Sequence, residues 1–237
     1  VLLSVAMVAA VLAGCGSSGA KETAAPAGSE TEAASEAASG ETEAAGNTGD
    51  VITVGFSQVG AESDWRTANS ESMKSTFSTE NGYNLIFDDA QQKQENQIAA
   101  IRNFIQQEVD YIVLAPVTES GWDTVLQEAK DAEIPVIIVD RMVDVSDDSL
   151  YTAWVGSNFK LEGQKACEWL KQYAAAKNMS EVNIVDIQGT IGASAQIGRT
   201  EALNEAVEAN GWNLLAQQTG EFTQAKGQEV MESMLKQ

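Results

Sequence analysis

Residues 51–237 are predicted to form an α/β fold in which helices flank parallel β-sheets. Short apolar runs alternate along this segment with longer amphipathic stretches, which is the pattern of βαβ units. Two of the runs, YIVLA at 111–115 and VIIVD at 136–140, are almost continuously apolar, as expected for strands that are covered on both faces. Because βαβ units join parallel strands, the sheets are expected to be parallel.

The alternation also sets the expected order of the elements. Strands are predicted at 51–57, 84–88, 111–115, 136–140, 151–156, 183–188 and 213–218. Helices are predicted at 65–79, 92–107, 121–132, 161–176, 195–209 and 223–235. Parallel sheets bind ligands beyond the carboxyl ends of their strands, so polar residues at those ends are candidate functional residues.

The composition excludes several classes of function. The 237 residues include 35 acidic and 14 basic side chains, and the net charge of −21 argues against a nucleic acid partner. With no histidine and two cysteines, the chain cannot assemble a Cys/His zinc site or a catalytic set of the Ser-His-Asp or Cys-His type. We predict no cofactor and no metal site.

Residues 1–15 are uncharged and apolar, and they are typical of the core of a signal peptide. Their end, LAGC at 12–15, resembles the bacterial lipobox, which implies lipidation of Cys15 and an extracytoplasmic protein anchored to the cell membrane. The alternative interpretation is a buried helix with an incidental cysteine. No initiating Met and no basic segment precede the apolar run, so the sequence is expected to begin inside the signal peptide.

Residues 16–50 are predicted to be a disordered acidic linker. This segment has seven acidic residues and one basic residue, a net charge of −6, and no aromatic or large aliphatic side chain. It therefore cannot bury enough apolar area to offset the entropy of ordering. A flexible coil of this length reaches about 30–35 Å, enough to tether a domain just above a membrane.

Polar side chains follow three of the predicted strands. The first strand leads into the stretch 57–66, the fourth ends in Asp140 and Arg141, and the strand at 183–188 leads into Gly189–Ser194. Carboxylates, a guanidinium, hydroxyls and an aromatic ring together suit a sugar, whose hydroxyls donate to carboxylates and accept from arginine. For Asp140 and Arg141 alone, a surface salt bridge or a turn is an equal alternative.

Several strings carry a family resemblance. They include GFSQVG at 55–60, QQKQENQI at 91–98, VIIVDR at 136–141 and QGTIGASAQIGR at 188–199. Residues 51–237 resemble the type I periplasmic sugar-binding proteins of ABC importers, with galactofuranose-binding members more similar than ribose-binding members. The resemblance implies a monomer of two αβα lobes, here 51–156 and 157–237, that closes on a monosaccharide and delivers it to a membrane permease.

The resemblance also assigns residues to the sugar site. They are Glu62, Arg66, Trp65, Ser57, Asp140, Arg141, Arg199, Ser194, Thr190 and Phe222. The residues alone leave other roles open. Trp65 is also compatible with covering the end of the sheet, Phe222 with a position in the core, and Arg199 with a surface ion pair. Ile197 stands where ribose-binding members have an arginine, which argues against simple ribose specificity.

The sequence therefore predicts a lipid-anchored solute receptor and not an enzyme. Three alternatives use the same fold or the same residues: a sugar sensor that presents its ligand to a chemoreceptor or histidine kinase, the ligand-sensing domain of a repressor, and an enzyme that uses carboxylates such as Asp140. The resemblance implies further strands after Gln237, so the second lobe is expected to be incomplete in this chain and sugar binding to be weak or absent.

Overall fold

The computed structural model describes residues 51–236, so the predicted signal peptide with Cys15 and the predicted linker lie outside the described residues. The strands are β1 (Ile52–Gln58), β2 (Tyr83–Asp89), β3 (Tyr111–Leu114), β4 (Val136–Asp140), β5 (Ala153–Gly156), β6 (Asn183–Gln188) and β7 (Asn213–Thr219). The helices are α1 (Asp64–Thr76), α2 (Gln94–Gln106), α3 (Asp123–Asp131), α4 (Phe159–Ala176), α5 (Ser194–Asn210) and α6 (Gln224–Met234). None of these helices is long and apolar enough to span a membrane.

The predicted order of strands and helices is confirmed, and the ends of the elements differ from the prediction by at most three residues. Capping explains the differences. The Asn158 side chain accepts a hydrogen bond from the backbone N–H of Leu161, so α4 begins two residues before the predicted start. Helix α1 ends at Thr76 because the chain then forms a separate 3₁₀ turn, Thr79–Asn81, which Gly82 closes at a φ of 85°.

The strands form two parallel sheets, as predicted. The first sheet has the order β2-β1-β3-β4-β5, and β6 pairs with β7 in the second. In the first sheet β3 lies between β1 and β4, so the carboxyl ends of β1 and β4 meet at the same edge. The proposed division into lobes at 156 and 157 falls between the two sheets and stays a prediction.

Both faces of the first sheet are covered by apolar side chains. Ile112 and Leu114 of β3 belong to a buried cluster with Phe104 of α2, on the side of α2 and α3. Val113 points to the opposite face and packs in a second cluster with Phe56. Full burial of a side chain of this size contributes about 1.5–3 kcal/mol, which explains why the run YIVLA is apolar at successive positions.

Helices α4 and α5 pack closely through two glycines. A Cβ at Gly163 would lie 2.7 Å from the Cβ of Ala202, and a Cβ at Gly198 would lie 3.1 Å from the Cβ of Phe159. The absence of both side chains lets the two helices approach, and it places the ring of Phe159 5.0 Å from the guanidinium carbon of Arg199. The amino-terminal ends of both helices therefore present one aromatic and one cationic side chain together.

Gly55 of β1 is expected to tolerate no side chain. A Cβ at this position would lie 2.5 Å from Cγ of the buried Phe104 ring. We therefore expect Gly55→Ala to lower the free energy of unfolding by about 1–3 kcal/mol, the usual cost of overpacking a core. Urea unfolding followed by circular dichroism measures the change.

Two further variants test the cause. Phe104→Leu should cost less in the Gly55→Ala background than in the wild type, because it removes the clash. Gly227→Ala is the matched control, since a Cβ at this position of α6 would have no atom within 4 Å. Equal stability of Gly55→Ala and the wild type would contradict the packing described here.

Candidate functional site

A pocket of about 330 Å³ lies beyond the carboxyl ends of β1 and β4. This volume lies within the range of small-molecule sites. The residues that line it are Glu62, Ser63, Trp65, Arg66, Asp140, Arg141, Ser157, Phe159, Glu162, Ala195, Arg199 and Phe222. Seven of the ten residues assigned to the sugar site from sequence therefore lie in one pocket, although they are spread over 160 positions of the chain, from 62 to 222.

Arg66 lies in the first turn of α1, which the Ser63 side chain caps. Its guanidinium is buried and donates from Nε to Glu62 Oε1 at 3.1 Å, from Nη1 to Gln58 Oε1 at 3.2 Å and from Nη2 to Asp140 Oδ2 at 2.9 Å. A guanidinium carries five N–H groups. One N–H on each of Nη1 and Nη2 thus has no acceptor within residues 51–236 and is available to a ligand.

Asp140 ends β4 with a φ of 63°, in the left-handed region. This conformation costs a residue with a side chain about 1–3 kcal/mol, and aspartate is among the residues that tolerate it best. The turn brings both Asp140 and Arg141 to the pocket. The Asp140 carboxylate accepts from Arg66 and lies 3.9 Å from Nε of Arg141.

Arg141 is buried beside the same carboxylates. Its Nη1 donates to the carbonyl oxygen of Val117 at 3.1 Å, and its Nη2 lies 3.8 Å from Glu62 Oε1. Burial, together with the positive charge of Arg66, lowers the pKa of Arg141 to about 10, although Asp140 and Glu62 oppose this shift. Arg141 therefore remains a cation at neutral pH, and it lines the pocket with one hydrogen bond, to Val117, within residues 51–236.

The third arginine of the pocket lies on α5. Arg199 donates to Glu162 of α4 at 2.8 Å, and both side chains are about half exposed. The surface ion pair that the sequence left open for Arg199 is therefore present, but it forms part of the pocket wall.

Each pocket arginine lies against an aromatic ring. The guanidinium carbons of Arg66, Arg141 and Arg199 lie 4.7, 4.8 and 5.0 Å from the ring centroids of Trp65, Phe222 and Phe159, respectively. A ring held in this way presents an apolar surface, while the guanidinium edge presents N–H donors. Trp65 is 57% exposed and does not cap the sheet.

The formal charges of the pocket cancel. Three arginines face three carboxylates, those of Glu62, Asp140 and Glu162. A ligand with a net charge would leave this balance uncompensated in a partly buried site, which is costly. The arrangement suits a neutral ligand with several hydroxyl groups. No group of three or more His, Cys, Asp or Glu side chains within residues 51–236 is placed to hold a metal ion.

Three predicted site residues do not line the pocket. Ser57 is fully buried and lies on the same face of β1 as Gly55, toward α2, because side chains alternate along a strand. The Ser194 hydroxyl accepts a hydrogen bond from the backbone N–H of Met142 at 2.9 Å, and the Thr190 hydroxyl donates to the carbonyl oxygen of Glu221 at 3.3 Å. The hydroxyls of Ser194 and Thr190 thus form hydrogen bonds to the backbone of other loops.

Sequence reasoning missed other lining residues, chiefly Phe159 and Glu162. Both belong to the first turn of α4, immediately after β5. The signal was present, because the fifth strand was predicted to end at 156 and residues beyond a strand end are site candidates. Ser157, which follows that strand directly, also lines the pocket.

Known proteins resemble this chain in sequence and fold. A family model described as a periplasmic binding protein domain matches residues 54–237. The chain belongs to this family. Among its relatives, the galactofuranose-binding protein YtfQ of Escherichia coli K12 is 48% identical over 186 residues, which cover 78% of this chain and 57% of that protein.

Other members confirm the fold and the order of similarity predicted from sequence. The ribose import binding protein RbsB of Salmonella typhimurium is 29% identical over 154 residues, covering 65% of this chain and 50% of that protein. The binding protein of the arabinose ABC transporter from Shewanella sp. ANA-3, solved with α- and β-L-arabinofuranose, is 50% identical with a TM-score of 0.72. The match covers 78% of this chain and 60% of that one. The chain thus spans 50–60% of the length of these relatives, all named as binding proteins and none as an enzyme.

The charge balance of the pocket predicts the effect of neutralising Asp140. Asn tolerates the left-handed backbone, so Asp140→Asn removes the charge without adding strain. Two buried guanidiniums then share the Glu62 carboxylate, and we expect the free energy of unfolding to fall by about 1–3 kcal/mol. Urea unfolding measures the loss. Asp144→Asn makes the same charge change outside the pocket and should shift stability by less than about 0.5 kcal/mol, and equal effects of the two variants would refute the prediction.

Proposed function

We propose that the protein is an extracytoplasmic solute-binding protein of a carbohydrate ABC importer, which binds a monosaccharide without chemical change and delivers it to the membrane permease. The charge-balanced pocket with three arginine–aromatic pairs carries this proposal. Its guanidinium edges donate to sugar oxygens, its carboxylates accept from sugar hydroxyls, and its rings contact the apolar face of the sugar. Membership of the periplasmic binding protein family supports the same function.

The ligand we propose is a sugar in its furanose form, galactofuranose or a related pentose or hexose. Relatives with 48% and 50% identity are named for galactofuranose or were solved with arabinofuranose. A furanose ring with its exocyclic hydroxyls offers many hydrogen-bonding groups in a small volume. Since hydrogen bonds to charged groups contribute roughly 1.5–3 kcal/mol each, the free N–H groups of Arg66 and Arg141 are sufficient for selective binding.

The proposed protein works as a monomer held at the membrane through its amino terminus. Lipidation of Cys15 provides the anchor, and the acidic segment 16–50 gives the binding domain room to move above the lipid surface. An anchored receptor stays near its permease, which suits the capture of a dilute solute.

Isothermal titration calorimetry tests the sugar and the pocket together. On the complete gene product that contains these residues, we expect L-arabinose or D-galactose to bind and D-galacturonate to bind at least tenfold more weakly, because its charge is uncompensated.

Binding should also change the tryptophan emission, and this change should disappear in Trp65→Phe. Asp140→Asn should abolish measurable binding, whereas Asp144→Asn should bind as the wild type does. Absence of binding to any neutral sugar would overturn the proposed function.

Metabolic labelling with an alkyne fatty acid tests the anchor. We expect a Cys15→Ser variant expressed with its leader to lose both the label and its place in the membrane fraction. Cys167→Ser is the matched control, because Cys167 is the second of the two cysteines of the chain and lies buried in α4. It should keep the label. Labelling that persists in Cys15→Ser would contradict lipidation at this residue.

A further inference from the structure

Gln58 is the last residue of β1 and has no surface exposed to solvent, and it does not line the pocket. Its side chain is nevertheless fully hydrogen bonded. Nε2 donates to Asn69 Oδ1 at 2.7 Å and to Ser70 Oγ at 3.0 Å, both in α1. Oε1 accepts from the backbone N–H of Val59 at 2.9 Å and from Nη1 of Arg66 at 3.2 Å. One amide group thus joins β1, α1 and a pocket arginine.

We propose that Gln58 is a positioning residue, which fixes the guanidinium of Arg66 so that its two free N–H groups face the ligand. The inference rests on the proposed function, because it concerns how the same pocket is held. Arginine carries only donors, so the amide oxygen of Gln58 must face Arg66. The amide nitrogen must then face α1, where Asn69 and Ser70 provide the acceptors.

The other two side chains that accept hydrogen bonds from Arg66 also lie close to Arg141. Glu62 and Asp140 lie between Arg66 and Arg141, and their carboxylate oxygens are within 4 Å of both guanidiniums. Charge attraction to these carboxylates therefore acts on both arginines alike. Gln58 bonds to Arg66, has no bond to Arg141 within the described residues, and adds no charge to the pocket. Gln58 therefore acts on Arg66 and not on Arg141.

A second buried glutamine provides a matched comparison. Gln97 of α2 is also fully buried, donates to the carbonyl oxygen of Ala115 at 2.7 Å and accepts from the backbone N–H of Val117 at 2.9 Å. The carbonyl oxygen of Val117 in turn accepts from Arg141. Gln97 therefore supports the anchor of Arg141 and makes no contact with Arg66 in the described part of the chain.

Hydrogen exchange at the arginine side chains tests the inference without any ligand. In ¹⁵N-labelled protein, the Nη1 hydrogens of Arg66 are expected to exchange slowly with water, because Nη1 donates to Gln58 and the group is buried. Gln58→Met keeps the length of the side chain and removes its hydrogen bonds, so exchange at Arg66 should accelerate by about tenfold or more. The exposed Arg102, which pairs with Glu128, should be unaffected and serves as the internal reference.

Two variants separate positioning from general loss of stability. Gln97→Met also removes a buried amide, but it should leave exchange at Arg66 as in the wild type. Gln58→Glu keeps the acceptor oxygen for Nη1 and should restore slow exchange at Arg66. If Gln58→Met does not fold, the double variant Asn69→Ala, Ser70→Ala releases the amide from α1 and should accelerate exchange at Arg66 in the same way.

The sugar titration completes the test. With L-arabinose as the probe, Gln58→Met should bind about tenfold more weakly than the wild type. Unchanged exchange at Arg66 in Gln58→Met, or equal acceleration in Gln97→Met, would overturn the positioning role. If the wild type binds none of the sugars, the proposed function fails, while the exchange experiment still decides the role of Gln58.

Discussion

The burial of two guanidinium groups side by side is the constraint on which the pocket depends. Arg66 and Arg141 share the carboxylates of Glu62 and Asp140, and removing such cations from water is costly unless each finds a partner. The partners come from distant parts of the chain, since 74 positions separate Arg66 from Asp140. Only the parallel order of β1, β3 and β4 brings them to one edge, and the left-handed turn at Asp140 completes the arrangement.

Within this frame each pocket arginine also lies against an aromatic ring. The ring lies near the face of the guanidinium, whereas the N–H donors lie at the edge of the cation. The pocket therefore combines hydrogen-bond donors with apolar surfaces, which supports the proposed sugar ligand. The neutrality of the pocket contrasts with the net charge of −21 of the whole chain, so the acidic surface and the recognition site serve different purposes.

The fold could be predicted from the sequence because the periodicities of strands and helices are local features. The resemblance to a known family then assigned seven of the residues that line the pocket. The failures have local causes as well. Ser57 is adjacent to the strand end but points to the other face, and a one-residue step on a strand reverses the side of the sheet. Phe159 lies before the predicted start of α4 at residue 161. In the structure the cap at Asn158 starts the helix earlier, so Phe159 belongs to its first turn. Gln58 lies within the polar stretch 57–66, but its proposed role depends on contacts with α1 that the sequence alone does not show.

The close packing of α4 and α5 through Gly163 and Gly198 bears on how recognition in this protein could be re-engineered. These glycines set the separation of the two helices, whereas Phe159, Glu162 and Arg199 supply the chemistry of that wall. Exchanging the latter side chains alters polarity and size without moving the backbone. A larger residue at either glycine would clash with the neighbouring helix and change the separation of the two helices. Shape and chemistry are thus adjustable separately, a useful property for a scaffold intended to bind small polyols.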